Sequence, residues 1–239
     1  MKINWNYIKM SCLLILVVFL FAFSAGRNKV RKVSEPYIEF LGDKNLFITH
    51  ETVSKLLIQN QQGVTSVPKE TLDLNALEMT LNSNPMIEFA EVYVSVNGDL
   101  SAKIKQKKPI ARVSGASQYY LDSQGEFMPL STNYTERVPM VTGKIDKKNL
   151  ANIFVIANKV YNDEFLKTNV IEIHQNENKT IDLRLRQCYF TVQLGKLKYL
   201  DKKINNLKAF YKKAVKNKSL NTYSKVNLQF ENQVVCTKV

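Results

Sequence analysis

The sequence predicts an α+β protein: an N-terminal transmembrane helix, a β-α-α-β-β unit, then a mainly antiparallel β unit with two helices. Three observations predict it. Residues 10–26 carry no charge and are almost wholly apolar. Apolar residues alternate with polar ones on both sides of Asn97-Gly98, the period of half-buried strands. Leu197, Leu200, Ile204, Leu207, Tyr211 and Ala214 recur at alternating three- and four-residue steps, the period of an amphipathic helix. The expected divisions are residues 1–9 (a short N-terminal segment), 10–26 (the anchor), 27–113 and 114–239.

A bilayer core takes about 20 apolar residues of helix, with a lower limit of roughly 17, and the anchor sits at that limit. Lys2 and Lys9 supply a basic start, and Trp5 and Tyr7 stand where interfacial aromatics collect. The evenness of the run favours an uncleaved anchor over a signal peptide cut at the small-x-small triplet Ala22-Phe23-Ser24. Arg27, Lys29, Arg31 and Lys32 outnumber the lysines before the run. Counted strictly, those charges would hold the body of the chain in the cytoplasm.

Tyr37 to Phe40 is a short strand candidate. Thr49 can cap a helix whose apolar face carries Val53, Leu56 and Leu57. Leu74, Leu77 and Leu81 share one face of a second helix, capped by Asp73 or Asn75 and stopped by Asn84-Pro85. Ala90, Val92, Val94 and Val96 line one face of a strand. Leu100, Ala102 and Ile104 alternate with Ser101, Lys103 and Lys105 on the return. Asn97-Gly98 between them predicts a type I′ turn, which needs two residues at positive φ. One face of this sheet should pack on the two helices while the other meets water.

The order β-α-α-β-β resembles a POTRA domain, and the local sequence resembles the FtsQ/DivIB cell-division family. The residues that carry the resemblance begin with Phe47-Ile48-Thr49, Val53 and Leu56-Leu57. They continue through Leu77-Glu78-Met79-Thr80-Leu81-Asn82-Ser83-Asn84-Pro85-Met86-Ile87 and Ala90-Glu91-Val92-Tyr93. Gly98-Asp99-Leu100 and Lys107-Lys108-Pro109-Ile110-Ala111 complete the set. On this resemblance residues 27–113 are the POTRA domain and 114–239 the family's β domain.

In the second unit, Tyr119 to Leu130 reads as a hairpin with Asp122 and Gly125 in its turn. Val138-Pro139-Met140-Val141-Thr142-Gly143 follows, and both pieces resemble the start of the family's β domain. Leu150, Ile153, Ala157 and Val160 mark one helix face. Val170 to His174, Ile181 to Arg186 and Tyr189 to Leu194 are strand candidates. The long amphipathic helix comes next. A final hairpin of Val226 to Phe230 and Val234 to Lys238 turns across Glu231-Asn232-Gln233.

The net charge of +13 fits nucleic acid, anionic lipid or wall polymer as a neighbour. Lys196, Lys198, Lys202, Lys203, Lys208, Lys212, Lys213, Lys216 and Lys218 surround the long helix. A solvated outer face is the simpler reading of them than an electrostatic footprint. The chain has two histidines, His50 and His174, far apart in sequence. It has no Cys or His cluster at metal spacing, no glycine-rich phosphate loop and no Gly-x-Ser-x-Gly elbow. The expectation is therefore a protein that is not an enzyme, with no catalytic, cofactor-binding or metal residues. Cys188 and Cys236 either pair in an oxidising compartment or remain two buried thiols.

The resemblance implies a divisome scaffold of the bacterial inner membrane. It would be single-pass, with the N-terminus cytoplasmic and both domains periplasmic, at the division septum. Its partners would be FtsB- and FtsL-like proteins linked to septal wall synthesis, with other division proteins docking on the POTRA domain and no nucleic acid. In the family, a strand of FtsB adds to the edge of the last β-domain strand, where unpaired N–H and C=O groups accept it. Carried over by position, that edge is Val234, Val235, Cys236, Thr237 and Lys238, with the Val235 amide among its free donors. Gln229 and Phe230 in the preceding strand support it. Lys238 stands where the family has an aromatic, and Gln233 where it has a glycine. The rival readings are a POTRA-containing module for outer-membrane protein assembly or secretion, and an anchored basic protein that binds nucleic acid or wall polymer.

Overall fold

The structure, a computed structural model, describes residues 5–29, 32–42, 45–59, 68, 72–115, 117–147, 149–230 and 233–239. The uncharged run becomes part of a longer helix, α1 (Trp5–Lys29). Once nucleated, a helix gains one hydrogen bond per added residue, so the aromatic and basic flanks join it. Within it, Trp5–Asn28 contains an 18-residue stretch with a mean hydropathy of 2.4 and is long and apolar enough to cross a membrane. The chain divides into two compact units, residues 1–106 and 107–239.

The first unit continues with β1 (Tyr37–Leu41), α2 (His50–Gln59), α3 (Leu74–Asn82), β2 (Ile87–Val94) and β3 (Leu100–Gln106). The sheet runs β1-β3-β2, with β1 parallel and β2 antiparallel to β3. Leu100, Ala102 and Ile104 are fully buried in one cluster with Val53, Leu57, Leu77 and Leu81 of the two helices. Thr52 N–H donates to Thr49 Oγ1 at 3.2 Å. Of the two candidate caps for α3, Asp73 is the one used, accepting from Ala76 N–H at 3.0 Å.

The turn at Asn97-Gly98 is not the expected type I′. Gly98 has φ +95, but Asn97 is not among the positive-φ residues. Gly98 N–H donates to the Ser95 carbonyl at 3.1 Å, and Ser95 N–H to the Asp99 carbonyl at 2.9 Å. This is the three-residue loop in which a type I turn is closed by a glycine bulge. Ser95 selects it, because its Oγ accepts from the N–H groups of Asn97 and Asp99 at 3.2 and 3.0 Å.

Gln106 ends β3 and is only 2% exposed. Its Oε1 accepts from Phe47 and Ile48 N–H at 3.0 and 3.2 Å, and its Nε2 donates to the Ile48 carbonyl at 3.0 Å. The amide thereby ties the segment that leads into α2 to the end of the sheet. Gln106→Leu keeps the volume but leaves these buried backbone groups unpaired. It is expected to cost about 2–3 kcal/mol, read as a fall in the denaturant midpoint of the first unit.

The second unit begins at Lys107, not after residue 113 as expected. The strand β4 (Pro109–Val113), assigned to the first domain on sequence, belongs to the second sheet. The reason is burial: Ile110, Ala111 and Val113 all lie in the second core. The unit continues with β5 (Tyr119–Asp122), β6 (Phe127–Met128), β7 (Met140–Gly143), α4 (Ala151–Asn162), α5 (Glu164–Asn169) and β8 (Val170–Gln175). It ends with β9 (Ile181–Leu185), β10 (Thr191–Gly195), α6 (Leu200–Lys216), β11 (Tyr223–Asn227) and β12 (Val235–Lys238). The nine-stranded sheet runs β12-β11-β10-β9-β8-β7-β4-β5-β6. Five neighbouring pairs are antiparallel and three parallel.

The β5–β6 turn is organised by Asp122, which is 1% exposed. Its Oδ1 accepts from Gln124 and Glu126 N–H at 2.9 and 2.8 Å. Its Oδ2 pairs with Lys107 Nζ at 2.9 Å. Burial pulls the Lys107 pKa down, but hydrogen bonds and charge from Glu126 and Asp122 more than offset it, so the net shift is upward. Among the described residues this unit has three α-helices where two were expected, because Asp163 starts the short α5 by accepting from Leu166 N–H at 3.2 Å. The long helix α6 joins β10 to the parallel β11, the crossover that parallel pairing requires. Ile204, Leu207 and Ala214 are its buried face. Lys208 is tied to Asp163 at 2.6 Å, so the basic helix is partly a packed element and partly a solvated face.

Candidate partner-binding edge

The second sheet ends in β6 on one side and β12 on the other. A border strand has half its backbone groups outside the ladder. β6 is only two residues long, and β12 is four. β12 rests on β11, in the register Tyr223↔Lys238, Lys225↔Thr237, Val226↔Cys236 and Asn227↔Val235. β11 is itself well seated: Val226 and Leu228 are buried, and Tyr223 meets Phe210 of α6 edge-on at 5.4 Å.

Which backbone groups of β12 are open follows from the register. The irregularity between Tyr223 and Lys225 places the extra residue, Ser224, on β11, so alternation along β12 is unbroken. Val239 N–H donates to the Thr222 carbonyl at 3.0 Å. Along an antiparallel strand, successive residues direct their N–H and C=O to opposite sides. Thr237 and Val235 therefore face β11, as Val239 does, and Cys236 and Lys238 face outward. The expectation that Val235 offers a free amide is corrected: its N–H lies on the Asn227 side, and the outward donors are those of Cys236 and Lys238.

The side chains follow the other alternation. Val234 and Cys236 pack against the second core, while Val235, Thr237 and Lys238 are exposed. Gln229 and Phe230 do not lie in the preceding strand as expected. That strand runs from Tyr223 to Asn227. After Leu228 N–H reaches the Gln193 carbonyl at 2.9 Å, Asn227 Oδ1 accepts Gln229 N–H at 2.9 Å and turns the chain out of the ladder. Gln229 lies against Gly195, so closely that a Cβ on that glycine would stand 2.7 Å from Gln229 Cγ. Phe230 is 46% exposed.

The alternation of Val226, Leu228 and Phe230 placed this strand three residues too late. Sequence reading also missed Ser224, whose Oγ lies 3.3 and 3.2 Å from the carbonyls of Thr237 and Lys238. A serine bulge leaves no periodic signal by which to find it. The first sheet treats one of its own borders differently. Asn82 of α3 accepts from Ala90 N–H at 2.8 Å and donates to its carbonyl at 3.1 Å, and Glu78 accepts from Val92 N–H at 2.8 Å. The outer N–H and C=O of Ala90 and the outer N–H of Val92 are thus already filled. Among the described residues, no side chain caps the Cys236 N–H or C=O in this way.

The remaining candidates for chemistry are dispersed. His50 opens α2 and meets Phe40 edge-on at 4.7 Å, and His174 Nδ1 lies 2.8 Å from Thr142 Oγ1. Cys188 and Cys236 are free thiols whose pKa values burial pushes up, which disfavours the reactive thiolate. Among the described residues, no group of three or more His, Cys, Asp and Glu is placed to hold a metal ion.

Comparison with known proteins bears on both units. A family model described as FtsQ/DivIB, C-terminal related, matches residues 108–237. A POTRA-like domain model matches residues 42–105. The curated cell division protein FtsQ of Geotalea daltonii is 25% identical over 181 residues, which cover 70% of this chain and 64% of that protein. The chain thus spans less than two thirds of the length of this relative.

Proposed function

The chain belongs to the FtsQ/DivIB family, and from that premise we propose that it is a scaffold of the bacterial division apparatus that holds FtsB- and FtsL-type partners by strand addition to β12. One observation carries this reading: β12 closes the sheet with the outward N–H and C=O of Cys236 and the outward N–H of Lys238 unclaimed by any described side chain. An added strand would satisfy those groups, while Val235 and Thr237 on one face and Cys236 on the other would read its side chains. Val235 of β12 is exposed and offers apolar contact to the same strand, and the exposed Phe230 would add to it.

In this reading α1 is the single membrane span, the N-terminus stays in the cytoplasm, and both units lie on the periplasmic face at the septum. The POTRA-like unit is a second docking surface for other division proteins. The scaffold links their assembly to septal wall synthesis by holding partners in place rather than by chemistry of its own.

The test is cellular and topological. A fluorescent fusion of the full chain is expected to gather at midcell in dividing cells. In spheroplasts, external protease is expected to digest the two units and spare the N-terminus. Even fluorescence around dividing cells, or a body protected from protease, would overturn the proposal.

A further inference from the structure

We propose that the pocket between the end of β10 and the start of α6 is a binding site for a phosphate group. The pocket encloses about 300 Å³ and is lined by Thr180, Lys196, Lys198, Tyr199, Lys202, Lys203 and Gln229. Four of these seven residues are lysines, and none is a carboxylate.

Lys203 is the central observation. It is 7% exposed, and its Nζ donates to the carbonyls of Leu194 at 2.9 Å and Lys196 at 2.7 Å. An ammonium has three donors, so these two bonds leave one unused. Two neutral carbonyls hold its geometry but do not neutralise its charge, and among the described residues no carboxylate pairs with it. Buried charges are ordinarily paired, because desolvation of an unpaired ion is expensive. Burial accordingly holds the Lys203 pKa below the usual lysine value.

The surroundings add to the imbalance instead of relieving it. Lys196, Lys198 and Lys202 are all exposed around the same opening, and Lys198 Nζ lies over the Tyr199 ring at 4.7 Å. The one acid in the first turn of α6, Asp201, is held by Lys159 of α4. Cations at the start of a helix also oppose its macrodipole. Tyr199 takes a left-handed conformation, φ 57 and ψ 38, which is unfavourable for a residue with a Cβ. A sequence that gathers like charges over a buried ammonium, on a strained backbone, departs from the local consistency expected of a purely structural region. A multiply charged oxyanion resolves these conflicts together. Its oxygens accept from the third Lys203 donor and from the exposed ammonium groups of Lys196 and Lys198 above it. The chemistry recognised is the phosphate group, whether on a lipid headgroup or free in solution.

The test uses the full chain in phosphatidylcholine nanodiscs, titrated calorimetrically with inorganic pyrophosphate. Saturable binding is expected, weakened about tenfold by Lys203→Met and by the double change Lys196→Gln with Lys198→Gln, the loss expected for one or two charge-assisted hydrogen bonds. The surface double change does not touch the core, so it remains informative if Lys203→Met fails to fold. Lys212→Gln with Lys216→Gln removes the same charge from the far end of α6 and should leave binding unchanged. Repeating the titration in discs containing phosphatidylglycerol separates the two sources: competition marks a lipid headgroup, and unaltered affinity marks a soluble phosphate. No saturable binding, or an equal loss from both double variants, would overturn the site.

Discussion

Gly143→Ala is expected to lower the stability of the second unit by about 4 kcal/mol, the sum of a left-handed backbone penalty and a steric clash. Gly143 ends β7 at φ +94, where a side chain is strained whatever the space around it. A Cβ there would also stand 2.1 Å from the Gln175 carbonyl oxygen and 2.9 Å from its carbon. Those atoms are backbone, and they are already committed: the Gln175 carbonyl accepts from Lys144 N–H at 2.9 Å. The parallel pair β7–β8 therefore has to part at its end, in the middle of the nine-stranded sheet. Hydrogen exchange of the full chain should show protection lost in β7 and β8 while β2 and β3 keep theirs. Wild-type protection throughout would mean that the backbone at this point yields more easily than its packing indicates.

Lys238→Pro is expected to weaken partner binding by about 2 kcal/mol, roughly thirtyfold, through loss of one backbone donor and intrusion of the ring into the path of the added strand. The Lys238 amide faces away from β11, and its side chain is exposed, so the free protein should be little affected. Proline is tolerated in sheets on such outward-facing border positions. Val235→Pro is the contrasting change, because its amide lies on the Asn227 side and its loss loosens β12 itself. Thiol labelling of Cys236 in the unbound chain distinguishes the two: it should accelerate in Val235→Pro and stay at the wild-type rate in Lys238→Pro. Full partner affinity in Lys238→Pro, with β12 intact, would exclude strand addition at this border.

These two positions differ in how far sequence alone could lead to them. Gly143 stands in a segment that resembles the family's β domain, but nothing local reveals that its missing Cβ makes room for the Gln175 carbonyl thirty-two residues on. The Val234 to Lys238 segment was legible as a last strand from its composition. Its open side was not, since Val235 and Cys236 look alike as donors until the pairing is known. The domain boundary failed for a similar reason. Pro109-Ile110-Ala111 reads as a strand in either unit, and only the core that buries Ile110 and Ala111 decides between them.

The periodicities by themselves determined the apolar N-terminal helix, the two helices and hairpin of the first unit, and the amphipathic helix of the second. Each depends on which residues recur on one face, and burial of that face is a local property of the chain. Tertiary structure alone decided the neighbours of each strand, the side of β12 left unpaired, and the gathering of Lys196, Lys198, Lys202 and Gln229 around the buried Lys203. Those depend on register and crossover. Hydrogen bonds between strands join residues distant in sequence, and one extra residue at Ser224 shifts which residues of β11 stand opposite those of β12.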